Sequence, residues 1–317
     1  MFKLLFRGLS PGGARARLSV LIFHRVLPTP DPIFPTEVDA RAFDSICTWV
    51  SEWFQVLPLG DAIQRLRQGQ LPPRALAITF DDGYADNHDV ALPILRRHGL
   101  PATFFVATGF LDGGRMFNDT VIESVRRCSL PQLDLPGTVA ADLGVLPLSG
   151  LPDRRAAIGR IIGATKYLPL AERNAWVAAV AERSGARLPD DLMMRSEQVR
   201  ALHRAGMTIG AHTVSHPILA RLDAASARAE IAQGRSDLEA IIGDRVGLFA
   251  YPNGKPGEDY VPETVDLVRE LGFDAAVSTT WGSARPANDP FQVPRFTPWD
   301  RTRNRFGLRL ARDLWSS

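Results

Sequence analysis

Cysteine is almost missing from this sequence, and its scarcity closes off two kinds of chemistry. Only Cys47 and Cys128 occur in 317 residues, and they lack CxxC spacing, so neither a disulfide framework nor a thiolate metal site is indicated. Both read as core thiols. Basic runs are missing too. Lys and Arg total 37 against 35 Asp and Glu, a formal net charge of +2, which offers nothing to track a phosphate backbone and excludes nucleic acid as the expected partner. No apolar run is long enough to cross a bilayer: the N-terminal stretch MFKLLFRGLSPGGARARLSVLIFHRV is interrupted by Lys3, Arg7 and Gly8 before the short run LSVLIF. Cleaving a signal peptide after LSVLIF would discard what looks like a strand, so the expectation is no cleaved signal and a cytoplasmic location. Low-complexity tracts are absent as well, and 45% hydrophobic with 23% charged residues is the composition of a folded protein.

What is present is an alternation. Short runs rich in β-branched and aromatic residues predict strands at 18–24, 54–58, 75–80, 102–107, 207–211, 246–251, 273–277 and 291–296. Amphipathic stretches between them predict helices at 40–52, 59–69, 86–98, 222–242 and 260–271. Asp223 is a candidate N-cap and Gly243 a stop signal for the fourth of these. Strands separated by crossover helices make this an α/β chain, a (β/α) barrel of irregular form in which reactive residues gather where strands end. Residues 108–206 are too long for an ordinary connection and read as a helical insertion. The organisation is then an N-terminal segment (1–17), a main domain (18–297) and an amphipathic tail (298–317). Phe2, Leu4, Leu5, Phe6 and Leu9 beside Lys3 and Arg7 suit either peripheral membrane association or packing on the domain, and the basic, apolar tail 301–315 shares that character.

Polar residues appear where apolar runs end: His24, Asp81, Asp82, His212, His216 and Tyr251. In "IGAHTVSHP" the histidines at i and i+4 share a face if the segment turns helically, which suits two imidazoles on one metal. Asp82 could complete a two-imidazole, one-carboxylate set with open positions, leaving Asp81 to act as base. Adjacent strand residues point to opposite faces, so both carboxylates meet one site only if the backbone turns, and Gly83 permits that turn. A polar turn with Asp capping the next helix is the alternative reading of DDG.

"TFDDG" (79–83) followed by "HTVSH" (212–216), with "LPATFFVATGFL" (100–111) between them, resembles the first motifs of the polysaccharide deacetylases, the NodB-homology domain of carbohydrate esterase family 4. The resemblance covers roughly residues 18–297. It implies a distorted (β/α) barrel, one divalent metal on Asp82, His212 and His216, and Asp81 as catalytic base. Zinc is the default for that ligand set, with nickel or cobalt as alternatives. The family's third motif carries an arginine near a proline, whereas "FAYPNG" (249–254) has Ala250 there; Arg295 is the candidate replacement. Tyr251 carries over as the backbone N–H donor to the oxyanion. No histidine follows His216, so the family's late acid is missing. In this respect the chain is similar to the poly-N-acetylglucosamine deacetylase branch, which implies His24, at the end of an N-terminal strand, as the general acid.

The implied activity is hydrolysis of N-acetyl groups on an amino-sugar polysaccharide or glycan precursor, placed at the inner membrane face by the absence of a visible export signal. Trp281, Trp299 and Phe117 could offer sugar-stacking faces. A metal-dependent amidase acting on a cyclic amide or imide, and a non-catalytic glycan-binding protein, are the competing readings.

Overall fold

The computed structural model describes residues 2–135 and 143–316. These residues divide into two units, one of 1–29, 37–111 and 194–317, the other of 30–36 and 112–193. The first holds strands β1 (Leu18–Phe23), β2 (Gln55–Val56), β3 (Ala75–Phe80) and β4 (Thr103–Val106); the second holds a hairpin of β5 (Gln132–Leu135) and β6 (Gly144–Pro147). The first unit resumes with β7 (Thr208–Ala211), β8 (Leu248–Ala250) and β9 (Ala275–Val277).

The first unit is a parallel sheet in the order β1, β3, β4, β7, β8, β9, with β2 on the start of β3. Its open side is bridged by 293–296, which is not a regular strand as expected. Val293 pairs with Val277 of β9, and Phe296 exchanges backbone hydrogen bonds with Val20 and Ile22 of β1. The result is the expected distorted (β/α) barrel. Strands β1 and β3 are buried along their whole length, which explains their unbroken apolar runs.

Alternation still sorts their side chains. Leu76, Ile78 and Phe80 belong to the large cluster that includes the helices Ala40–Trp53 and Ala224–Ile242, whereas Ala75 and Ala77 join Leu18, Val20, Phe105, Leu248, Ala250 and Val277 in a second cluster. Small residues on this second face leave room for Phe105; a Cβ on Gly210 would lie 2.4 Å from its ring. The helix Ala224–Ile242 begins and ends as read, with Asp223 capping the Ser226 N–H and Gly243 left-handed at φ 70°.

Both chain ends pack. Phe2 and Phe6 of the helix Phe2–Leu9 pack at a tilt against Trp53, and Phe306, Leu310 and Leu314 of the helix Arg303–Ser316 are buried. Much of the apolar character that suggested a membrane surface is therefore spent inside the fold. Among the described residues no helix is long and apolar enough to cross a membrane.

The second unit differs from the expected helical insertion of 108–206. It is shorter, 112–193 with 30–36, and it includes the β5–β6 hairpin beside helices Phe117–Arg127, Leu151–Thr165 and Leu170–Ser184. Residues 194–206, with the helix Ser196–Arg204, belong to the first unit, and 136–142 lie outside the described residues. Its core joins Val121, Val125, Leu133, Leu146, Ile158, Ile161 and Val180 to Ile33, and Arg126 bonds Asp31 at 2.6 Å. Cys47 and Cys128 are buried free thiols.

Candidate active site

Asp81 continues the inward series of β3 past Ala75, Ala77 and Thr79, and there it meets Arg295. The guanidinium forks onto both carboxylate oxygens at 2.7 Å, bonds Thr79 Oγ1 at 3.2 Å and the Ser278 carbonyl at 2.8 Å. Arg295 is 1% exposed and Asp81 2%. Burial opposes charge on Asp81, but the adjacent guanidinium outweighs it and holds the carboxyl below its usual range. Arg295 thus reaches Asp81 from a segment 214 residues further along the chain.

By alternation Asp82 should point away from Asp81. Its φ of 77°, followed by 92° at Gly83, turns the backbone so that the second carboxylate faces the barrel mouth too. A Cβ on Gly83 would stand 2.9 Å from Val106 Cγ1, so glycine is required by space as well as by φ. Downstream, Asp86 and Asn87 secure the end of β1: Asp86 accepts from Arg25 Nε at 2.8 Å and the Val26 N–H at 2.9 Å, while Asn87 donates to the His24 carbonyl at 2.8 Å.

His212 follows β7 directly. Its Nδ1 lies 2.8 Å from the Ala250 carbonyl, which fixes Nδ1 as the donor and turns Nε2 toward Asp82 Oδ1 at 3.3 Å. His216 Nε2 lies 3.5 Å from the same oxygen. The 212–216 stretch is not the helical turn expected from its i, i+4 spacing. Thr213 and His216 take φ of 66° and 51°, so a left-handed loop brings the two rings together.

The three residues fit a metal. Their ligand atoms lie within 4.8 Å of one another. Asp82 Oδ1 is buried without a hydrogen-bond partner, a costly arrangement that a cation would relieve. Burial opposes charge on Asp82, but the neighbouring His212 and His216 imidazoles outweigh it and hold the carboxyl far below its usual range. Burial pushes His216 down to about 3, which leaves its lone pair free; burial acts the same way on His212, but Asp82 draws a proton onto that ring and raises its pKa. A cation held by Asp82 and His212 would compete with protonation of that ring.

His24 is exposed at the end of β1, within electrostatic range of Asp81, Asp82 and His216. The other histidines outside the metal set each stand beside a carboxylate, His88 by Asp89, His98 by Asp44 and His203 by Asp244. Tyr251 does not fit the role carried over to it. Its N–H donates to the Val277 carbonyl at 3.3 Å within the sheet, its hydroxyl to the Phe291 carbonyl at 3.0 Å, and its buried ring stacks on Tyr260 at 3.9 Å. It is a packing residue. Phe117 packs on the core of the second unit with the Arg173 guanidinium 4.3 Å over its ring, so it is not a free stacking face. Trp281 and Trp299 stay half exposed, 5.6 Å apart, and both leave the barrel at its strand C-terminal end.

One residue escaped the sequence reading. Glu230, on the helix Ala224–Ile242, binds the His212–His216 loop through two backbone N–H groups and the Ser215 hydroxyl. Its only signal was a place four residues before Gly234 on the helix face that meets the loop.

The family model for polysaccharide deacetylase matches residues 68–129 and 162–276. The Bacillus subtilis (strain 168) protein YxkH is 21% identical over 271 residues, 85% of this chain and 67% of its own length. Among solved structures, the Streptococcus pyogenes deacetylase PplD in complex with acetate aligns with a TM-score of 0.62 at 19% identity, covering 95% of this chain and 99% of that one. IcaB from Ammonifex degensii aligns at 0.57 and 18%, covering 96% and 98%. At such identities the structural likeness speaks for the fold. The family match runs over more than half of the chain and contains the DDG and HTVSH segments: the chain belongs to the polysaccharide deacetylase family and is a hydrolase of that kind.

Proposed function

We propose that the chain removes N-acetyl groups from an amino-sugar glycan, using one divalent metal held by Asp82, His212 and His216. The observation that carries this reading is the division of labour at the end of β3: Asp81 is ion-paired with Arg295 through both oxygens, while Asp82 Oδ1 has two imidazoles beside it and no hydrogen bond. A divalent ion bound there supplies Lewis acidity, polarising the acetamide carbonyl and lowering the pKa of a water beside it. Zinc suits two imidazoles and a carboxylate, and nickel or cobalt accept the same donors.

The chain's own groups do the rest. Arg295 keeps Asp81 ionised and fixes both its oxygens in one orientation, so the carboxylate is ready to take a proton from the attacking water. His24 is open to solvent and substrate at the same mouth and gives a proton to the departing amine, without which an amide C–N bond does not break readily. Trp281 and Trp299 at the rim each carry the Arg309 guanidinium over the ring, and the half of each ring that stays exposed is offered to sugar.

The test is acetate release from N-acetylglucosamine oligomers, measured together with free amine. Release that stops on chelation and returns with zinc is the expected result. No release from any acetylated glycan, alongside hydrolysis of a cyclic imide, would replace this reading with the amidase one.

A further inference from the structure

The His212–His216 loop has an unusual backbone for a pair of ligands. Two of its five residues are left-handed without being glycine, a conformation that persists only when its surroundings over-determine it. Those surroundings can be named. Inside the loop, Thr213 Oγ1 accepts the His216 N–H at 3.1 Å and donates to the His212 carbonyl at 2.5 Å. From one side, the Thr108 and Gly109 N–H groups donate to the carbonyls of Thr213 and Val214 at 3.2 and 2.9 Å. From the other side comes a single carboxylate. Glu230 Oε2 accepts the N–H of Val214 at 3.0 Å and of Ser215 at 2.9 Å, and Oε1 accepts the Ser215 hydroxyl at 2.7 Å.

Glu230 has no cationic partner among the described residues, so its three bonds all go to this loop. Gly234, one turn further along the same helix, lets the helix reach the loop: a Cβ there would lie 2.7 Å from the Thr213 carbonyl carbon and oxygen. Helix and loop are thus matched at two successive positions, one supplying acceptors and the other supplying space.

We propose that Glu230 is a positioning residue that locks the left-handed loop so that both imidazole Nε2 atoms face Asp82 Oδ1. The proposal rests on the reading of Asp82, His212 and His216 as a metal site. It gives Glu230 no contact with substrate. Groups that orient ligands without touching the metal typically change its affinity by about 10–100-fold when removed.

The test is the zinc dissociation constant of the full chain, by competition with a chromogenic chelator, for the wild type, Glu230→Ala, Glu230→Gln and Asp223→Ala. Glu230→Ala is expected to weaken zinc by about 10–100-fold. Glu230→Gln, which keeps one accepting oxygen for the two N–H groups, should fall between it and the wild type, and it carries the test if the alanine variant folds poorly. Asp223→Ala removes the N-cap of the same helix, so it should lower the melting temperature and leave zinc affinity unchanged. Wild-type affinity in both Glu230 variants would overturn the proposal while the metal site stands. Equal weakening by Asp223→Ala would overturn it too, by showing that helix stability alone sets the affinity. A wild-type chain that binds no divalent metal would instead remove the site reading on which the proposal depends.

Discussion

The two ends of the barrel differ in how their polar groups are satisfied. At the starts of β7, β8 and β9 lies a cleft of about 990 Å³, lined among others by Asp61, Gln64, Arg67, Thr208, Arg245 and Asp274. Its charges pair as surface charges do: Arg245 forks onto Asp274 at 2.5 and 3.0 Å, with both side chains half exposed. At the other end, Asp81, Asp82 and the His212 imidazole are buried, one carboxylate oxygen lacks a partner, and Asp82, Gly83, Thr213 and His216 all take positive φ. Space alone therefore does not mark the chemistry. Groups held at a cost in desolvation and backbone strain do, because such an arrangement persists only where the surroundings impose it.

Variants at the two ends should separate accordingly. The largest effect belongs to the ligands: Asp82→Ala, His212→Ala or His216→Ala should lose bound metal and bring acetate release to background, as measured by metal analysis and an acetate assay on the same preparation. His24→Gln should come next, lowering kcat by about 10²–10⁴-fold with metal content and melting temperature unchanged, since His24 is an exposed acid and not a ligand. Arg295→Met leaves Asp81 buried without its partner and should destabilise the fold by about 3–5 kcal/mol in chemical denaturation, with a loss of turnover beyond that explained by unfolding. The smallest effect is expected at the opposite end. Arg245→Ala breaks an exposed pair and should cost no more than about 1 kcal/mol, with acetate release intact. Activity lost in Arg245→Ala as in His24→Gln would erase the contrast between the ends.

The parts legible in the sequence are those where local pattern and tertiary fold agree. Strands β1, β3, β4, β7, β8 and β9 fall within the predicted runs, because a buried parallel strand needs apolar residues on both faces. Asp81, Asp82, His212 and His216 were visible as polar residues at strand ends. Arg295 was legible only as a candidate, since its partner lies 214 residues away along the chain. The errors share a cause. The HTVSH loop, the Tyr251 N–H and Glu230 all depend on which backbone groups are already engaged, and side-chain periodicity does not report that. The β5–β6 hairpin escaped for a related reason: QLDL and GVLP are too short to show a period against their helical neighbours.

The division of roles between the adjacent carboxylates is tested most directly by Asp81→Asn, assayed for bound zinc and for acetate release from an N-acetylglucosamine oligomer on one sample. The account predicts that zinc stays bound at the wild-type stoichiometry through Asp82, His212 and His216 while acetate release falls to background. Zinc lost together with activity, or activity retained with zinc in place, would contradict it.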